Sequence, residues 1–188
     1  MSKIALTPSA SGTGVFTISS PSTNTNRTLT LPDEAGTIIT TAASASTIPG
    51  NGNLNEVDQW RLTANITNTT ASTVLSTSWE RSDTYGAGYV GTGMTESSGI
   101  FTFPSIGTYL IQIMAYISVD GSQRYNLIHI QTTTNNSTYN TASAAAQSVS
   151  QVSSNYTIGS LYAFFIFDVT NTTNCKVRFA QQCEGTAG

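Results

Sequence analysis

Residues 109–119, YLIQIMAYISV, are apolar at alternate positions and nearly so at the positions between. In an extended chain successive side chains point to opposite faces. Tyr109, Ile111, Ile113, Ala115, Ile117 and Val119 therefore share one face, and Leu110, Met114 and Tyr116 share the other, interrupted only by Gln112 and Ser118. A second run, GSLYAFFIFDVT at 159–170, repeats the pattern: Leu161, Ala163, Phe165, Phe167 and Val169 lie on one side, Tyr162, Phe164 and Ile166 on the other. A strand with water on one side alternates apolar and polar residues, and a strand apolar on both faces is covered on both. Helices supply the second cover in α/β proteins, but this chain has no amphipathic helical period to spare. The remaining source of cover is another copy of the chain. One face is thus expected in a sandwich core. The other, carried by Leu110, Met114, Tyr116, Tyr162, Phe164 and Ile166, is expected at an oligomer interface. Burying a large side chain contributes about 1.5–3 kcal/mol, so a few such residues per subunit suffice for an obligate assembly.

Composition agrees with a β protein. Only 9% of the 188 residues are charged, against about a quarter in ordinary globular proteins. Thr (32), Ser (24) and Asn (14) make up 70 residues, so hydroxyls and amides keep the chain in solution. Thr also favours strands, because its branched Cβ suits a pleated surface. The formal net charge of −3 argues against a broad electrostatic grip on nucleic acid or on an anionic membrane. No apolar run approaches the roughly 20 residues of a membrane span. The start, MSKIALTPSASGTG, has no apolar core of a secretory signal, so secretion is not expected.

The chain divides into three parts. Residues 1–40 hold two short alternating segments, GVFTISSP and NRTLTLPD, joined by a polar turn at 22–26. Phe16 and Ile18 lie on one side of the first segment and Val15 on the other, while Leu29 and Leu31 share a face of the second. This pattern predicts a β-hairpin. Isolated hairpins are marginal in water, so such an arm must lie against something larger, with Val15, Phe16, Ile18, Leu29 and Leu31 as its anchoring residues. Residues 41–55, small and rich in Pro and Gly, read as a linker. Residues 56–188 form the main domain. Strands are expected over 58–67, 109–119, 124–133, 159–170 and 174–182, with short segments around 74–79 and 86–94. The polar Ala/Ser stretch 137–154 has room for a short helical turn.

Residues that suggest chemistry are few. Gly86, Gly88 and Gly91 have G-x-G-x-x-G spacing, but a dinucleotide site needs a helix after them, and MTESSGIFTFP has no helical period; they read as turn glycines. His129 is the single histidine and lies in a predicted strand, where a packed side chain is the natural role. With one His and two distant Cys, no zinc site is expected, and no G-x-S-x-G elbow is present. Cys175 and Cys183, eight positions apart, would lie about 26 Å apart on one strand, too far for an internal disulfide; they read as free thiols. Asp33–Glu34 reads as solvated charge at a turn. Asp120–Gly121 reads as a turn too, although calcium also takes loop carboxylates. No catalytic residue, cofactor or metal is expected, and the chain is not expected to be an enzyme.

Phe101, Pro104, Gly107 and Tyr109 form the pattern F-x-x-P-x-x-G-x-Y. Over about residues 56–183 the chain resembles the globular head domain of complement and its tumour-necrosis-factor-like relatives. That resemblance implies a jelly-roll β-sandwich that forms tight homotrimers, with an aromatic-rich inner sheet near the threefold axis. The family's G-D dipeptide before a late strand is absent here. The start, SKIALTPSASGTGVFTISSPSTNTNRTLTLPDEAGTIIT, with its -TLTLPD-x-x-GTI- ending, is similar to the amino-terminal segment of many bacteriophage fibre and virion structural proteins. The closing FDVTNTTNCKVRFAQQ is similar to phage fibre domains of this type. In such proteins the amino end attaches to the particle and the carboxyl end is displayed.

The combined expectation is a non-enzymatic, homotrimeric knob on a phage virion, assembled in the bacterial host cytoplasm and docked through residues 1–40 on a capsid or tail protein. Trimerisation gives three attachment points, so weak single-arm contacts add through avidity. The absence of heptads or long repeats favours a capsid decoration protein or short head fibre over a long shaft. The alternative is a tail-fibre tip that recognises a host surface glycan or protein through loops such as 132–140.

Overall fold

The structure, a computed structural model, describes residues 11–15, 17, 19, 22–26, 28, 54–67 and 69–185. The chain forms two compact units, Met1–Ala43 and Ser44–Gly188. In the first, Val15 is exposed and lies outside any strand. Phe16, Ile18, Leu29 and Leu31, with most of the predicted arm and linker, lie outside the described residues.

Among its described residues the second unit contains ten strands: β1 (Trp60–Leu62), β2 (Thr73–Val74), β3 (Trp79–Arg81), β4 (Thr95–Ser97), β5 (Ile100–Thr102), β6 (Gly107–Val119), β7 (Gln123–Thr133), β8 (Asn140–Val149), β9 (Thr157–Val169) and β10 (Lys176–Cys183). There is no helix among the described residues, and every strand pairing is antiparallel. One sheet runs β4-β5-β10-β7-β8, with β2 also on β10; β6 pairs with β9 alone, and β1 with β3. Three pairings nest: β7 with β8, β6 with β9 outside them, and β5 with β10 outside both. Along this nested hairpin the chain passes back and forth between the six-stranded and the two-stranded sheet.

The inner faces of these two sheets share one core. Ile111 of β6 and Leu161, Ala163, Phe167 and Val169 of β9 meet Phe101, Ile128, Ile130, Val177 and Phe179 of the larger sheet, the arrangement of a β-sandwich. Phe101 is 2% exposed and is the hub of an aromatic group. Its ring lies 5.4 Å from Trp60 and 5.1 Å from Trp79, both edge-on, and 5.6 Å from Phe179. The β1–β3 pair thereby closes one side of the core with its two tryptophans.

The Phe-Pro-Gly-Tyr pattern builds the entry into β6. The Phe103 and Tyr109 rings lie 4.7 Å apart, and Tyr109 Oη donates to the Ser105 carbonyl at 2.9 Å. Gly107 has φ 149°, which a residue with a Cβ rarely adopts.

Several expected elements differ. The stretch 137–154 contains strand β8 and no helical turn. Ala and Ser carry little strand preference, but β8 is bonded along β7 from Val149 to Asn140 with a bulge near Thr141. Ser143, Ala145 and Gln147 turn inward and Ala144, Ala146 and Ser148 outward, so small residues occupy both faces and hide the alternation. The expected strand 58–67 is paired only over Trp60–Leu62, because its partner β3 is equally short. Residues 86–94 are loop apart from one bridge, Val57 to Val90, and 74–79 splits between β2 and β3.

Candidate assembly face

β6 and β9 are each 13 residues long and pair without a bulge from Gly107–Val169 to Val119–Thr157. Their inward residues fill the core described above. The outward residues are Thr108, Leu110, Gln112, Met114, Tyr116 and Ser118 on β6, and Ile158, Ser160, Tyr162, Phe164, Ile166 and Asp168 on β9. All six residues expected at an interface lie on this one face, and cross-strand pairs put Leu110 opposite Ile166 and Met114 opposite Tyr162. Their exposure runs from 53% at Tyr162 to 79% at Met114. Asp168, at one end, is the single charge on the face.

Two strands of this length cover about 40 Å by about 10 Å. A contiguous apolar patch of several hundred Å² is at the upper end of what monomers expose, and larger ones mark interaction surfaces. Sequence reasoning missed Ile158, also exposed on this face. β9 begins at Thr157, two residues before the expected start, and Ile158 shares parity with Tyr162, which would have identified it. A further feature was invisible without the register: Gln112 Nε2 donates to Tyr162 Oη across the strands, and the Tyr162 and Phe164 rings lie 6.2 Å apart.

The structure also places the other residues with chemical potential. Gly91 has φ 80°, and a Cβ there would meet the Asn55 carbonyl oxygen at 2.4 Å. This glycine lets the 91–94 backbone wrap around two carboxylates. Glu56 accepts from the Thr92 and Gly93 amides at 3.0 Å, and Asp58 accepts from the Met94 amide at 2.7 Å and from Trp60 Nε1 at 2.9 Å. Arg81 completes the knot, bonding Asp58 at 2.9 and 3.0 Å with its guanidinium 4.8 Å from both the Trp60 and Tyr89 rings. Burial alone would raise the Asp58 pKa, but the bonds from Arg81, Trp60 and the Met94 amide outweigh it and hold the carboxyl below its ordinary value.

His129 lies on β7 between Ala144 of β8 and Ala180 of β10. Both its ring nitrogens are covered and have no hydrogen-bond partner, so no Ser or carboxylate engages it. Burial pushes its pKa below that of an ordinary histidine. Cys175 and Cys183 are free and buried. Asp120 is exposed, and no group of three or more His, Cys, Asp or Glu among the described residues could hold a metal. In the 132–140 loop, Asn135 Oδ1 accepts from the Ser137 and Thr138 amides at 3.0 and 2.9 Å, and Asn136 donates to the Asn174 carbonyl at 3.0 Å. Residues 134–138 are exposed.

The described residues thus define an all-β protein of antiparallel sheets whose most unusual surface is one uncovered apolar sheet face. No protein-family model matches the chain, and no curated protein matches it.

Proposed function

We propose that the chain is a non-enzymatic structural protein of a bacteriophage virion. It forms a homotrimeric jelly-roll knob held on the particle by residues 1–40, as a capsid decoration protein or short head fibre. The observation that carries this reading is the outward face of β6–β9. Seven large apolar or aromatic side chains, Leu110, Met114, Tyr116, Ile158, Tyr162, Phe164 and Ile166, stand more than half exposed there, and copies of the chain are their natural cover. The nested pairing of β5–β10, β6–β9 and β7–β8 supports the jelly-roll winding. The Phe101–Tyr109 pattern supports three copies over another number, and the -TLTLPD-x-x-GTI- segment supports attachment to a virion.

The test is gold-labelled antibody against residues 56–188 on purified phage, together with particles assembled from a chain lacking residues 1–40. Label on the capsid, and loss of that label with the shortened chain, are the expected results. Absence of the protein from particles overturns the reading. Label at the tail tip, with the purified knob blocking adsorption to cells, replaces it with a receptor-binding role.

A further inference from the structure

The β1–β3 pair packs Trp60, Leu62 and Trp79 against the core. Strand alternation puts the residues between them, with Gln59 and Ser82 just beyond the strands, on the opposite face. Arg61 stands across from Glu80 there, and the Ser82 amide extends the ladder by donating to the Gln59 carbonyl at 2.8 Å. Gln59, Arg61 and Ser82, together with the turn that follows at Thr84, line an open cavity of about 470 Å³. Sites for small molecules fall in this size range.

Two features set the cavity apart. The Ala87 amide donates to the Thr84 carbonyl at 3.0 Å, and Tyr85 and Gly86 between them have φ 57° and 80°. Positive φ at both central residues is the mark of a type I′ turn, where Asn, Asp and Gly are the usual occupants. The other non-glycine residues with positive φ are Ser78, Ser98, Asn136 and Ser153, so Tyr85 is the bulky exception. Such a conformation costs about 1–3 kcal/mol, and the Tyr85 ring, 103% exposed, gains no packing to offset it. The second feature is Ser82. It is 8% exposed, its amide is bonded to Gln59, and its hydroxyl meets no partner among the described residues. A covered hydroxyl left unpaired is costly, and a molecule in the cavity would pair it.

The charges narrow the chemistry. Arg61 Nε and Nη2 donate to Glu80 at 2.9 and 2.7 Å, and Asp83 lies 3.9 Å from Nη2. Two carboxylates thus neutralise the guanidinium, and the cavity has no net positive charge with which to hold a phosphate or another anion. What it offers is Arg61 Nη1, the Gln59 amide, two hydroxyls that both donate and accept, and one aromatic wall. A sugar ring is the complement, with hydroxyls around its edge and C–H groups on its face.

We propose that this cavity is a binding site for a neutral saccharide, whose ring stacks on Tyr85 and whose hydroxyls bond Ser82, Gln59 and Arg61 Nη1. The strained turn then holds the tyrosine ring ready before the sugar arrives. The site belongs to a single chain and adds a binding activity to the structural role above, so it stands or falls independently of the copy number.

The fluorescently labelled full chain is applied to an array of immobilised neutral and acidic oligosaccharides, alongside Tyr85→Asn, Ser82→Ala and, as control, Tyr156→Asn in another exposed loop. Retention on at least one neutral glycan is expected. Tyr85→Asn should weaken that retention about tenfold, the loss of one stacking contact, while melting no lower than the parent because Asn suits the turn. Ser82→Ala should weaken it too, and Tyr156→Asn should leave it unchanged. Retention of no neutral glycan, or equal retention by Tyr85→Asn, overturns the proposal. Retention on acidic glycans alone overturns the neutral class of ligand.

Discussion

Phe164→Ser separates a residue that holds copies together from one that holds a chain together. Phe164 is 58% exposed in the single chain, and its inward neighbours on β9, Ala163 and Phe165, carry the core contacts. With about 200 Å² of side-chain surface for a phenylalanine, roughly 115 Å² is open for a partner to cover. At about 25 cal/mol per Å² this is worth about 3 kcal/mol per subunit, hence about 9 kcal/mol per trimer. The midpoint concentration of a monomer–trimer equilibrium follows the square root of its dissociation constant. At about 1.4 kcal/mol per tenfold change, the midpoint should rise by about three orders of magnitude. Folding of the subunit should change by no more than about 0.5 kcal/mol, as for an ordinary surface substitution. Sedimentation velocity over a dilution series reads the midpoint, and circular dichroism of the dilute variant reads the fold. An unchanged midpoint would refute the assignment of this face. Loss of the strand spectrum at all concentrations would refute the claim that Phe164 points away from the core.

Two further substitution and pH experiments probe the subunit itself. Phe101→Ala removes the ring that Trp60, Trp79 and Phe179 surround. Urea unfolding at fixed protein concentration should show a loss of about 3–5 kcal/mol, and a loss under 1 kcal/mol would mean the aromatic group is not the hub of the core. Stability should also fall in two stages on acidification. His129 has its pKa depressed in the fold, so the unfolded chain takes up a proton first; stability is complete above about pH 6.5 and drains as the pH falls toward the folded value. Asp58, also depressed, adds a second loss below about pH 3.9 by the same sign. Thermal melts from pH 8 to 3 should show both stages, and His129→Leu should abolish the upper one. An upper stage unchanged by that substitution would assign it to another group.

The β6–β9 sheet was legible in the sequence because its residues are large and its alternation is complete. In 109–119 and 159–170 one face packs in the core and the other is exposed, and parity alone assigns Leu110 and Ile113 to opposite sides. β8 was not legible, since Ser143, Ala144, Ala145 and Ala146 are small on both faces and only hydrogen bonding to β7 makes them a strand. The knot of Glu56, Asp58 and Arg81 escaped because its partners lie 23 to 37 positions apart, with only Arg81 in a strand and that strand three residues long. The Gln112–Tyr162 bond escaped for a related reason. It depends on which residue of β9 faces which residue of β6, and two strands of matching greasiness do not reveal their register.

The claim beneath all of this is that the outer face of β6–β9 is covered by copies of the chain. Light scattering on the purified protein at micromolar concentration tests it most directly. The account predicts a mass three times the 19.8 kDa of the chain. A stable, folded monomer of 19.8 kDa would contradict it.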